Sequence, residues 1–272
     1  MSILKSLLFI LVCCLLSGCN EDSEEKSTEN TTQVKQVKNT IKSYNIPSTT
    51  DYTQEDLIVG ISPDNMPFEF MKNGEIKGFD VDLINAIAQK LQMNVIVKNM
   101  QFYLIIPSLE SGDIDIAISS ISATPERAAV IDFSTPYYYD DFALLSIDNL
   151  DPNDPIKDGM RIGVQTGTLM HQWIMKQDLQ VDVVTMDSNL ILVEELKNKN
   201  LDGILMDAIT ANGIAKASLN EIMKVAHLKG INATARSIGV RKGDDILEKI
   251  NSAINELQVS GELDKMKKDW GL

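Results

Sequence analysis

Between residues 114 and 138 an apolar strand (Ile114, Ile116, Ile118) runs into three small hydroxyls, Ser119, Ser120 and Ser122, and then into Thr124-Pro125. Threonine suits the N-cap and proline the first helical position, so a helix is predicted to open there. Arg127 falls in its first turn, where free N–H groups make the field positive and a cation is disfavoured by roughly 0.3–1 kcal/mol. Arginine is the side chain best shaped to hold a carboxylate in a two-pronged grip. Hydroxyls, free N–H groups and a guanidinium at one strand end make an anion seat. Taken alone, the stretch serves a surface arginine beside a Ser-rich turn equally well.

The elements that would position this seat repeat. Leu57–Ile61 is a short buried strand ending in the polar loop Ser62-Pro63-Asp64-Asn65. Gly78-Phe79-Asp80 leads into a helix with Ile84, Ile87, Ala88 and Leu91 on one face, followed by a strand around Val95 and Val97. A short helix near Ile106–Leu109 precedes a strand over Asp113–Ile118. From about residue 143 the pattern restarts: Arg161–Gln165 echoes the first strand, Thr166-Gly167-Thr168 opens a helix, and a helix ending at Glu194–Asn198 precedes the strand Leu201–Met206. Strands alternating with ten-residue helices imply an α/β fold with a mainly parallel sheet, here built twice. Ligands of such sheets collect beyond the carboxyl ends of strands. The first half offers Ser62, Asn65, Ser119, Ser120 and Ser122 there; the second offers Gln165, Thr168 and Asp207. Thr168 and Asp207 are also natural helix N-caps, a role that does not exclude ligand contact. The final helices, Asp245–Leu257 and Glu262–Trp270, follow a strand at Ile238–Val240 and carry an amphipathic face suited to packing.

The formal charge is −14, from 39 acidic and 25 basic residues. Such a balance argues against a nucleic-acid partner, which needs a basic footprint. Residues 1–18 have the form of a secretion signal: Lys5 as the charged flank, Leu7–Leu16 as the apolar run, and small residues before Cys19. All three cysteines (Cys13, Cys14, Cys19) fall within the first nineteen residues, so the chain after them has no disulfide and no thiol for catalysis. Two histidines, His171 and His227, lack ligand spacing, and no metal or cofactor is expected. Residues 19–54 are polar and charged, as expected of a flexible tether. No later apolar run is long enough to cross a membrane as a helix.

Several pieces in order, over roughly residues 55–270, resemble the bacterial solute-binding proteins of family 3. They are Val59-Gly60 with Pro67-Phe68-Glu69-Phe70, Gly78-Phe79-Asp80-Val81-Asp82-Leu83, Ile106-Pro107-Ser108-Leu109, Ser122–Arg127 and Asp132–Tyr138. Leu16-Ser17-Gly18-Cys19 likewise resembles a lipobox, which would make Cys19 an acylated N-terminus. The resemblance implies a two-lobed periplasmic-binding-protein type II fold, two α/β lobes joined by two hinge strands. Lobe 1 would be 55–143 plus 237–272 and lobe 2 148–232, with the hinge at about 143–148 and 232–237. It further implies a non-enzymatic, monomeric, lipid-anchored protein on the extracytoplasmic (periplasmic) side of a bacterial membrane. Such a protein closes on a free polar or basic L-amino acid and delivers it to the membrane permease of an ABC importer.

By the same resemblance, Arg127 grips the α-carboxylate, assisted by Ser120, Ser122 and the N–H of Thr168, and Asp207 takes the α-ammonium. Phe102 packs on the ligand side chain, while Ser62, Asn65, Gln165 and Leu169 line its pocket. Asn65 departs from members that carry an aromatic there, and Asp64 beside it would favour a basic side chain if it faced the cleft. The alternative is a cyclohexadienyl dehydratase-like enzyme on the same scaffold, with Asp64 or Asp207 as general acid.

Overall fold

The computed structural model describes residues 56–218, 223–229, 231 and 233–272. The expected signal segment, the tether and Cys19 lie outside these residues.

The chain enters β1 (Asp56–Ile61), a small antiparallel sheet of β2 (Asp64–Asn65), β3 (Glu69–Lys72) and β4 (Glu75–Lys77), then α1 (Phe79–Leu91) and β5 (Asn94–Asn99). It continues through α2 (Phe102–Ser111), β6 (Ile116–Ala117), α3 (Pro125–Ala128) and β7 (Ile131–Phe133). Next come β8 (Tyr138–Asp140), β9 (Phe142–Ser146), β10 (Arg161–Gln165), α4 (Leu169–Ile174), β11 (Asp182–Met186), α5 (Asn189–Lys197), β12 (Gly203–Asp207), α6 (Ala208–Ala217) and β13 (Lys224–His227). The chain closes with β14 (Thr234–Arg236), β15 (Gly239–Arg241), α7 (Ile246–Val259) and α8 (Glu262–Trp270).

Two five-stranded sheets share one plan, with orders β5-β1-β6-β15-β7 and β11-β10-β12-β9-β13. In each, three neighbouring strands pair in parallel and the fourth, β15 or β9, runs against both of its neighbours. The parallel part is what alternating strands and helices predict; the reversed strands β9 and β15 each follow a crossing, β8 and β14 respectively. Residues 143–146, expected in the hinge, lie in β9 inside the second sheet. The strands that stand outside both five-stranded sheets and carry the two crossings are the antiparallel pair β8–β14, with Tyr139 opposite Ala235.

Each lobe buries its own core. In the first, Val59, Ile61, Ile116 and Val240 pack under Leu83, Ile84 and Ile87 of α1 and Ile250 and Leu257 of α7. Burial of each such side chain contributes about 1.5–3 kcal/mol. Gly78, at φ 139, starts α1, and a Cβ there would stand 2.0 Å from the Phe68 carbonyl, so only glycine fits. Asp80 and Asp82 in the first turn favour the positive end of the helix dipole. In the second lobe, Leu192 and Leu196 of α5 cover Ala143, Leu145 and Ile204 of the sheet. The helix expected near Ile106–Leu109 starts earlier, at Phe102, and the strand expected over Asp113–Ile118 contracts to Ile116–Ala117.

Candidate functional site

The carboxyl ends of β1 and β6 face those of β10 and β12 across a cleft of about 460 Å³, its open mouth included. Its walls hold Asn65, Phe102, Ser119, Ser120, Ser122 and Arg127 from the first lobe, and Gln165, Thr168, Leu169 and Asp207 from the second. Of the expected site residues only Ser62 is not on the wall. It is buried behind, giving its N–H to Ser119 Oγ at 3.1 Å.

The predicted start of α3 is present: Thr124 Oγ1 accepts from the Arg127 N–H at 3.3 Å and Pro125 takes the first position. Arg127 is buried, and its guanidinium donates to the Ser122 carbonyl at 2.9 Å and, across the cleft, to the Gly167 carbonyl at 2.9 Å. These bonds engage two of its five N–H donors. It also stands 5.5 Å from the centroid of the Phe102 ring. Burial, and then the charge of Arg236, lower its pKa to about 10, while Asp207 and Glu126 oppose the change.

Ser120 sits in the left-handed region at φ 48, a conformation costing a non-glycine residue about 1–3 kcal/mol. Asp80 holds it there, its Oδ2 accepting from the Ser120 N–H at 2.7 Å and from the Tyr137 hydroxyl at 3.0 Å. Behind it, the Glu69 and Asp80 carboxyl groups are both buried, and the charge on Asp80 adds to the cost of ionising Glu69. Burial and then the Asp80 carboxylate push Glu69 well above the usual carboxylate range. Burial raises Asp80 to about 6, opposed by the Ser120 N–H, Glu69 and Tyr137. Glu69 lines the cleft, and its Oε1 accepts from Ser119 Oγ at 3.0 Å.

From the second lobe, Thr168 caps α4 by accepting from the His171 N–H at 3.2 Å and donating to the Gln165 carbonyl at 2.7 Å. Gln165 Nε2 donates to Asp64 Oδ2 at 3.0 Å, and the Asn189 N–H donates to the same oxygen at 2.9 Å. Asp64 thus faces the cleft, and burial raises its pKa despite these bonds. Thr210 donates to Asn65 Oδ1 at 2.5 Å, a further bond between the lobes. At the mouth, Lys176 Nζ and Glu126 Oε1 stand 4.0 Å apart, both largely exposed.

Asp207 occupies the N-cap position of α6 without making a capping bond. Its Oδ1 instead accepts from Arg236, a fully buried arginine on β14. Asp140 Oδ2 accepts from the Ile209 N–H at 3.3 Å and serves the helix in its place. Burial and the Asp207 charge raise Asp140 to about 7.

The cleft thus carries a guanidinium from one lobe and a carboxylate from the other. Residues 57–272 match the model of bacterial extracellular solute-binding proteins, family 3.

The chain is a family 3 extracellular solute-binding protein.

This solute-binding protein is 32% identical to an arginine-binding extracellular protein of Bacillus subtilis over 221 residues, covering 80% of this chain and 86% of the relative. It is 33% identical to a probable histidine-binding protein of Campylobacter jejuni, covering 85% and 91%. An ancestral arginine-binding protein bound to arginine superposes with a TM-score of 0.74 at 35% identity, covering 80% and 99%. With these neighbours the two lobes have the type II periplasmic-binding-protein fold.

Arg236, Asp140, Asn189 and Thr210 carry no sequence signal of a role in the cleft. Glu69 and Asp80 lie within the family pieces, but only the fold shows that both carboxyl groups are buried together.

Proposed function

We propose that this solute-binding protein captures a free polar or basic L-amino acid by hinge closure and passes it to the permease of an ABC importer. One observation carries the reading: Arg127 and Asp207, from different lobes, line the same cleft. A zwitterion must shed water to be enclosed, so each of its charges needs an opposite partner in the low-dielectric gap. Arg127 takes the α-carboxylate with its free donors, helped by Ser120, Ser122 and Thr168, and Asp207 takes the α-ammonium. A solute that touches both favours the closed state by its differential affinity. Ser119, Asn65, Gln165, Leu169 and Phe102 surround the ligand side chain.

Asp64 favours a basic side chain there, since its partly buried carboxylate is held by neutral donors and no ion pair is found for it among the described residues. Phe102 offers a cation a ring face, worth roughly 0.5–2 kcal/mol when desolvated. The arginine- and histidine-binding relatives support the same chemistry. Acylation at Cys19 would hold the protein, as a monomer, on the outer face of its membrane through the tether.

A thermal-shift screen of the twenty amino acids, ornithine and citrulline tests the reading. A ligand that binds only the folded state raises the melting temperature through RT ln(1 + [L]/Kd). A rise with arginine, lysine, ornithine or histidine is expected, and a flat response across the set refutes the proposal. Glu69 favours a second reading, because its carboxyl lies on the cleft wall and burial raises its pKa, as a general acid requires. An ancestral amino acid-binding protein, a precursor of cyclohexadienyl dehydratase, shares the fold at 30% identity and a TM-score of 0.71. Formation of an aromatic product from prephenate or arogenate would establish that reading.

A further inference from the structure

Arg236 is the largest fully buried side chain in the described structure, and it sits on a strand that links the lobes. Its backbone is pinned beside the anion seat: residue 236 forms a β-bridge with Ser122, and flanking bonds run from the Ala123 N–H to the Ala235 carbonyl at 3.1 Å and from the Ser237 N–H to the Ile121 carbonyl at 3.1 Å. From there one guanidinium nitrogen donates to Ser122 Oγ and to Thr234 Oγ1, and the other to Asp207 Oδ1. A single side chain therefore touches one ligand-seat residue of each lobe while remaining outside the cleft.

These contacts decide where both residues point. An aspartate before a helix ordinarily turns back to accept from the free N–H groups of the first turn. Asp207 does not, because Asp140 accepts from α6 and Arg236 holds the Asp207 carboxylate by Oδ1. The second oxygen is left for the cleft. Ser122 Oγ, accepting from Arg236, keeps its proton free to donate.

We propose that Arg236 is a positioning residue for ligand recognition, acting through Asp207 to orient the carboxylate that receives the ligand's α-ammonium and through Ser122 to orient the hydroxyl beside the α-carboxylate. The role rests on the amino-acid reading above. It sets specificity for the amino end: without Arg236, Asp207 turns to cap α6 and recognition of the ammonium is lost first.

The test compares L-arginine with 5-guanidinopentanoate, the same molecule without its α-amine, by calorimetry on wild type, R236M, R236K, D207N and R236M/D207N. The ratio of the two affinities reports the ammonium contact. R236M is expected to reduce that ratio about tenfold or more, since it releases a charged hydrogen-bond acceptor. R236K, with charge but no fork, falls between R236M and wild type. In D207N the ratio is already small, and adding R236M leaves it unchanged. A ratio preserved in R236M and R236K, with both ligands weakened equally, overturns the proposal and leaves Arg236 a packing residue. R236K carries the comparison if R236M does not fold. A wild type that binds neither molecule overturns the basic-amino-acid reading instead, which separates the two failures.

Discussion

Replacing Asp64 with asparagine separates a site built for a cationic side chain from one built for a neutral amide. The carboxylate accepts from Gln165 Nε2 at 3.0 Å, the Asn189 N–H at 2.9 Å and the Ser62 hydroxyl at 3.4 Å. All three donors are neutral, and burial disfavours the ionised form. A guanidinium entering beside Asp64 would supply the missing countercharge. A hydrogen bond to a charged group contributes about 1.5–3 kcal/mol, and a neutral one about 0.5–1.5 kcal/mol. Since about 1.4 kcal/mol is a factor of ten, D64N should weaken L-arginine by about 10- to 150-fold and L-glutamine by about tenfold or less. Titration calorimetry of both amino acids against wild type and D64N reads the two factors, and their ratio should move about tenfold toward glutamine. Equal losses for the two ligands, or an arginine affinity within about threefold of wild type, would refute the assignment of Asp64 to the ligand side chain.

R127K keeps the charge but cannot reach the Ser122 and Gly167 carbonyls and a carboxylate together; affinity for any bound amino acid should fall about 100-fold, with an unchanged circular dichroism spectrum. Gly167 has φ +78, and a Cβ there would meet Tyr103 Cβ at 2.9 Å, so G167A should prop the lobes apart. Small-angle scattering at saturating ligand should then give a larger radius of gyration than wild type, and matching curves would count against the reasoning. Asp140, raised to about 7, holds its proton in the folded state to a higher pH than in the unfolded chain, where it titrates near 3.9. Its contribution to stability is thus full below about pH 4 and is lost as pH rises through 7, about 2–4 kcal/mol in all. Denaturant midpoints should decline from pH 5 to pH 8 and decline less in D140N. Asp80, raised to about 6, acts in the same direction in both proteins.

Local signals in the sequence carried local structure faithfully. The cap at Thr124, the proline after it and the apolar spacing of α1 depend on neighbours a few residues away, and each element forms where those neighbours predict. Ser119, Ser120, Ser122, Gln165 and Thr168 were legible for a related reason, because loops after strands of an α/β sheet meet at one edge. Arg236 was not legible. Its partners Ser122 and Asp207 lie 114 and 29 residues away, and one arginine among small residues has no period to betray burial. The Glu69–Asp80 pair escaped because two acids eleven residues apart read as surface charge until a fold brings them together. Ser62 lies behind the wall because its N–H is given to Ser119 Oγ, a contact between residues 57 apart that no local pattern shows, and Asp64 and Asn65 line the cleft.

The rim pair Lys176 and Glu126 has a practical use. It bridges the mouth at 4.0 Å with both side chains largely exposed, one on each lobe. The only cysteines of the chain, Cys13, Cys14 and Cys19, precede the folded part. Thiols introduced at positions 126 and 176 could therefore be dye-labelled without competition from the lobes. If the lobes close on a ligand as proposed, two dyes at these positions would quench one another in the closed state and brighten on opening, an optical gauge of occupancy.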